Sequence, residues 1–179
     1  MSILSGKAAG HDLFVYGSLQ DPQVVYVLLN RVPDHSSAVL SGLYVSLSLS
    51  LSLSQSTYLD LVHVLDPAEE VLKGITDDER KLLDDFEDVE YDRKAVEVVL
   101  TDTSEKLQVG TYVWRNKDDP DLYGEWDFEE WKLHDRGAFI TATKNFMEER
   151  KLPEAKTRID AFKTFFKQDD TEDGKPLHS

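Results

Sequence analysis

Two stretches hold residue types whose spacing can do chemistry. The first is an acidic run over residues 77–92, with Asp77, Asp78, Glu79, Asp84, Asp85, Glu87, Asp88, Glu90 and Asp92 against only Arg80 and Lys81. Most such runs are solvated surface. Glu87 differs in context, because it follows Phe86 at the end of an apolar face made by Leu82, Leu83 and Phe86. That position draws it toward the interior. Burial and neighbouring like charge both disfavour a carboxylate and raise its pKa. A carboxyl raised toward neutrality can serve as general base and general acid in turn. A calcium loop fits poorly, since no loop here has the required Asp/Asn spacing with an internal glycine.

The second stretch is Tyr16-Gly17-Ser18-Leu19. A strand end followed by Gly-Ser and a helix start exposes backbone N–H groups, and such a nest can hold a carboxylate or phosphate. The alternative is a plain strand-to-helix turn, with glycine there because it tolerates positive φ. Tyr91 and Arg93 begin a strand after the acidic run, and Arg93 is placed to neutralise local acids. The five histidines, His11, His35, His63, His134 and His178, are scattered, and none makes a recognisable triad. Trp114, Trp126 and Trp131 read as core or interface anchors. The chain has no cysteine, which removes disulfides, thiolate metal sites and a cysteine nucleophile.

The elements that must position these groups are legible in outline. Residues 13–16 form an apolar run ending at Gly17, read as a buried strand. Asp21-Pro22 opens a helix as N-cap and first helical residue, with Val24, Val25, Leu28 and Leu29 as its apolar face. Strands are expected over 38–44, 71–75, 95–100 and 107–114, the last two joined by the polar link 101–106. Thr76 and Glu79 make a capping box ahead of the helix that carries Phe86 and Glu87. One long amphipathic helix is expected over 128–150, weakened at Gly137. A short one follows over 159–167 with Phe162, Phe165 and Phe166, and then a frayed end. Residues 46–54 alternate Ser and Leu without a break. They read either as a strand with a leucine face or as a translated simple repeat.

With 179 residues the chain suits one domain with a real core. A net charge of −15, from 20 Lys+Arg against 35 Asp+Glu, argues against nucleic acid and anionic membrane surfaces as partners. No run of apolar residues is long enough for a signal peptide or a membrane span. The expectation is a cytoplasmic monomer.

Taken together, two motifs carry a resemblance. Val15-Tyr16-Gly17-Ser18-Leu19 resembles the opening signature of the gamma-glutamylcyclotransferase-like superfamily. Leu83 to Arg93, with Glu87, Tyr91 and Arg93 in register, resembles its second signature, L-D-x-x-E-x-x-x-Y-x-R. Residues 116–120, 123–126 and 128–131 are similar to the plant avirulence-induced-gene-like branch. The resemblance covers residues 12–149 apart from the Ser-Leu segment. It departs at Asp88, where the family usually has glycine. It departs again where relatives carry a basic and aromatic segment with a Tyr-Pro pair.

The resemblance implies an α+β fold, a small mixed β-barrel flanked by helices. With the readings above, the expected organisation is a flexible N-terminus over 1–11, the family domain over 12–150 with an atypical segment at 45–70, and a helical tail over 151–179. The resemblance also implies cyclisation of a gamma-glutamyl compound to 5-oxoproline, with no metal or cofactor. By motif, Glu87 would be the general acid/base and Phe14, Val15, Tyr16, Gly17, Ser18 and Leu19 would hold substrate. Tyr91 and Arg93 would support them. The rival expectation is a catalytically silent stress- or defence-response protein that keeps the fold and uses its Phe-rich tail for a partner.

Overall fold

Alternation of apolar residues toward two opposite faces shapes the sheet. The structure, a computed structural model, describes residues 10–41, 69–116 and 127–172, with side chains as far as residue 167. The Ser-Leu segment, the loop 118–125, Trp126, His63 and His178 lie outside the described residues. Five strands, β1 (His11–Val15), β2 (His35–Leu40), β3 (Glu70–Ile75), β4 (Tyr91–Leu100) and β5 (Lys106–Trp114), close into a barrel in the order β1-β3-β2-β4-β5. Four of the pairings are antiparallel; the closing one sets β5 parallel to β1, with Leu13 opposite Gly110 and Phe14 opposite Thr111. Phe14, Ala38, Val71, Val98, Leu100 and Val109 come from all five strands and fill the barrel. Leu13, Val15, Leu72 and Ile75 belong instead to a second core shared with the helices. Successive residues of β1 thus serve two cores, as a period of two requires.

The helices are α1 (Pro22–Leu29), α2 (Asp77–Glu87), α3 (Phe128–His134), α4 (Arg136–Glu149) and α5 (Arg158–Glu172). Asp21 caps α1 as expected, its Oδ1 accepting from the backbone N–H of Gln23 at 2.8 Å and Val24 at 3.4 Å. Both halves of the Thr76/Glu79 capping box form at the start of α2. Arg31 also donates through Nε to Glu79 at 2.6 Å, tying the end of α1 to the start of α2. Among the described residues, no helix is long and apolar enough to cross a membrane.

Three expectations change. The single helix over 128–150 bends into α3 and α4 at Asp135, whose φ of −113° departs from the helical value while hydrogen bonds continue on both sides. Asp135 and Gly137 are both weak helix formers. Trp131 stacks on Phe128 at 5.8 Å within α3, and the bend lets it meet Phe139 of α4 edge-on at 5.5 Å. The last helix runs to Glu172 rather than 167, so residues expected to fray continue it. In addition, β2 begins at His35 rather than 38 and ends at Leu40, while β4 begins at Tyr91, the earlier of the two starts read from the sequence, paired with Trp114 across the hairpin. Phe162 of α5 is 8% exposed and packs on Phe139 at 5.4 Å, so it belongs to the chain's own core.

Asp21 does more than cap. Its buried carboxylate also accepts from Arg136 of α4, through Nη2 at 3.2 Å and through Nε. Asp21→Ala removes the cap and strands the Arg136 guanidinium. Urea unfolding is expected to show a loss of about 2–4 kcal/mol. Asp21→Asn keeps an acceptor for the helix and should lose less.

Candidate active site

Glu87 is the last residue of α2, and the helix stops there because Asp88 takes φ 60°, ψ −161°. That region is close to glycine-only and costs a side-chain-bearing residue about 1–3 kcal/mol. It accounts for the glycine that the resemblance expects at this position. Here the Asp88 carboxylate offsets part of the strain. Its Oδ1 accepts from the Val89 N–H at 2.8 Å and its Oδ2 from the Ile159 N–H at 3.2 Å.

On the other side, β1 delivers Tyr16 to a short 3₁₀ turn over Gly17–Gln20. Gly17 has φ 64°, and an added Cβ would meet nothing within 4 Å. Glycine is needed there for its dihedral, not for space. The first amides of a helical turn have no partner within it, which suits them to an anionic group.

These two pieces face one cavity of about 60 Å³, lined by Phe14, Val15, Tyr16, Gly17, Ser18, Leu19, Glu87, Tyr91 and Tyr112. Phe14 and Val15 are buried strand residues, and Leu19 is buried in the helix-facing core. Tyr91 reaches the cavity from β4 and packs edge-on against Trp114 at 5.0 Å. Arg93 does not line it. Its Nη1 donates to both oxygens of Asp84 at 2.6 Å, which is the neutralising role open to it from sequence. Tyr112 of β5 is the lining residue that sequence reasoning missed. It sits mid-strand and carries no local signal. Its hydroxyl donates to Asp84 Oδ1 at 2.7 Å, and its carbonyl accepts from the Tyr16 hydroxyl.

Burial pushes the Glu87 carboxyl up to about 7; Arg158 pulls it down and Glu90 adds to the rise. As a whole residue Glu87 is only partly covered. The surroundings of the carboxyl differ from that average, and they govern its titration. Burial also raises both lining phenols, Tyr91 and Tyr112, far above ordinary tyrosine. They remain neutral donors, and Glu87 is the acid of this cavity that changes charge near neutrality. A larger cavity of about 390 Å³ lies beside Gly10–Leu13, Arg80, Arg93 and Gln108–Gly110. Its arginines are engaged by Asp77 and Asp84, and Glu87 is not among its lining residues.

A small closed barrel, with a strand-end glycine turn and a glutamate on one cavity, defines a gamma-glutamylcyclotransferase-like protein. The chain belongs to the family described as Gamma-glutamyl cyclotransferase, AIG2-like, whose model matches residues 13–132. It is 69% identical over 177 residues to AIG2-like protein C of Arabidopsis thaliana, covering 99% of this chain and 100% of that protein. It is 50% identical over 156 residues to AIG2-like protein D of the same plant, covering 85% and 99%. A solution structure of an Arabidopsis thaliana protein shares 39% identity over 80% of this chain and 95% of its own, with a TM-score of 0.47.

Proposed function

We propose that the protein is a gamma-glutamylcyclotransferase that converts a small gamma-glutamyl amine or dipeptide to 5-oxoproline and a free amine. The observation that carries this reading is the shared cavity of the Glu87 carboxyl and the Gly17 turn. The turn amides hold the substrate's α-carboxylate. Its α-ammonium then stands near Glu87, which accepts a proton and leaves a neutral amine. That amine attacks its own γ-carbonyl. A carbon–nitrogen bond closes the five-membered ring, and the old amide bond breaks. Glu87 returns its proton to the departing nitrogen. In all, two protons pass from the attacking to the leaving nitrogen, so the ammonium becomes a lactam N–H and the amide nitrogen leaves as an ammonium.

The chemistry suits a site with one titrating group. Nucleophile and carbonyl share a molecule, so fixing the reactive conformer supplies much of the acceleration; effective molarities reach about 10⁵–10⁸ M in well-oriented cases. A carboxyl with pKa near 7 exchanges protons in both directions at little cost. Purified protein should release 5-oxoproline from γ-glutamylalanine or γ-glutamylethylamine, with a rate that rises through about pH 7 as Glu87 ionises. No release by wild type from a panel of such amines and dipeptides would leave a folded protein without turnover, the silent alternative. Equal turnover by Glu87→Gln would remove Glu87 from the mechanism.

A further inference from the structure

The C-terminal end of α2 carries no basic residue in its last turn. Its orphan carbonyls and negative dipole end therefore lack local compensation. The cation comes from elsewhere in the chain. Arg158, the first residue of α5, donates through Nε to the Phe86 carbonyl at 2.9 Å and through Nη2 to Glu90. Its guanidinium lies over the Phe162 ring at 5.5 Å and near the Phe86 ring at 6.0 Å. One residue on, the Ile159 N–H bonds the Asp88 carboxylate. The start of α5 thus grips the turn on both sides of Glu87, at Phe86 and at Asp88. Both gripping residues lie outside the family match, which ends at residue 132.

We propose that Arg158 is a positioning residue of the cavity, holding the Phe86–Asp88 turn so that the Glu87 carboxyl stands against the Gly17 turn. The role rests on the proposed reaction for its functional meaning, but its geometry is independent of it. The groups that bear on Glu87 are Glu90 of the turn, Tyr91 of β4, Tyr112 of β5 and Arg158 of α5; Asp84 of α2 acts on Tyr112, and Asp88 is the next residue in the turn. Arg158 is the cation among those named. Arginine suits the place because its planar fork bonds a carbonyl and a carboxylate at once while resting on an aromatic face, which lysine cannot reproduce.

The test uses the full chain with glutamate side chains labelled at the carboxyl carbon. Glu87 is assigned by its loss in Glu87→Gln and titrated by NMR, alongside the pH profile of 5-oxoproline release from γ-glutamylalanine. In Arg158→Met a cation is lost and Glu90 is left bare. The Glu87 midpoint is expected to rise by about one pH unit. The acid limb of kcat moves with it, and KM changes about twofold or less. Arg158→Lys recovers part of the shift, and adding Glu90→Gln to Arg158→Met returns the midpoint toward its starting value. A merely structural residue would lower activity evenly across pH and leave the midpoint alone. An unmoved midpoint in folded Arg158→Met overturns the proposal. Should that variant not fold, Arg158→Lys is read alone: its midpoint is expected to rise by part of that shift, and no movement there overturns the proposal equally. If wild type releases no product, the cyclotransferase reading fails while the titration still decides the role of Arg158.

Discussion

Glu87→Gln is expected to cut 5-oxoproline release by about 10²–10⁴-fold, the usual contribution of general acid–base catalysis. KM should change little, because the proposed mechanism gives the holding of substrate to the turn amides rather than to Glu87. The same substitution is expected to make the protein harder to unfold above neutral pH. The folded-state pKa of Glu87 is about 7, against an ordinary glutamate value of 4.5. Between those two values the unfolded chain gives up this proton while the folded chain keeps it. Stability is therefore lost as pH rises from 4.5, and the loss is complete once pH passes 7. That gap corresponds to about 3 kcal/mol at most, and about 2–3 kcal/mol given the partial exposure of the residue. Glutamine does not titrate and escapes the penalty. Urea unfolding of wild type and variant should differ little at pH 4 and by about 2–3 kcal/mol at pH 8, in favour of the variant. A pH-independent difference would mean that burial does not set the titration of Glu87. The two halves of this prediction together describe a residue kept at the expense of stability, as sites of chemistry often are.

Phe86→Ala is expected to cost about 3–5 kcal/mol of stability, the range for deleting a buried aromatic ring. Phe86 is 3% exposed. Its ring meets Phe139 at 6.3 Å and 87°, Phe146 at 5.8 Å and Phe162 at 6.3 Å, so α2, α4 and α5 all converge on it. Each such pair adds something beyond the area it buries. Removing the ring opens a void where three helices meet. It also frees the peptide that bears Glu87. Phe86→Leu fills most of the space and should cost about 1–2 kcal/mol. Its kcat should fall more than its KM changes, because the carboxyl is loosened and the turn amides are not. A loss below about 1 kcal/mol for Phe86→Ala in urea unfolding would show that the helices can repack without it.

What could be read directly from the chain was local. Asp21-Pro22, the Thr76/Glu79 box and the Gly17 turn are each settled by hydrogen bonds and dihedrals within three or four residues. The apolar face of Leu82, Leu83 and Phe86 follows from helical period alone, and it gave the right sense for Glu87: inward, with a raised pKa. The limits of the same logic show at residues 128–150. The apolar period continues across Asp135, so the pattern reads as one helix. The bend there serves the meeting of Trp131 with Phe139, which no local window contains.

The sequence by itself determined the helix caps, the glycine turn, most strand positions and the two motifs that carry the family. Only the tertiary structure decided that β5 closes the barrel against β1, that Tyr112 completes the cavity, and that Arg158 from α5 reaches the end of α2. The physical reason is range. Caps and turns satisfy backbone groups beside them in the chain, whereas the titration of Glu87 depends on desolvation and on charge from as far along the chain as residue 158. Desolvation is a property of everything that surrounds a carboxyl, and the surroundings exist only once the barrel and its helices have closed.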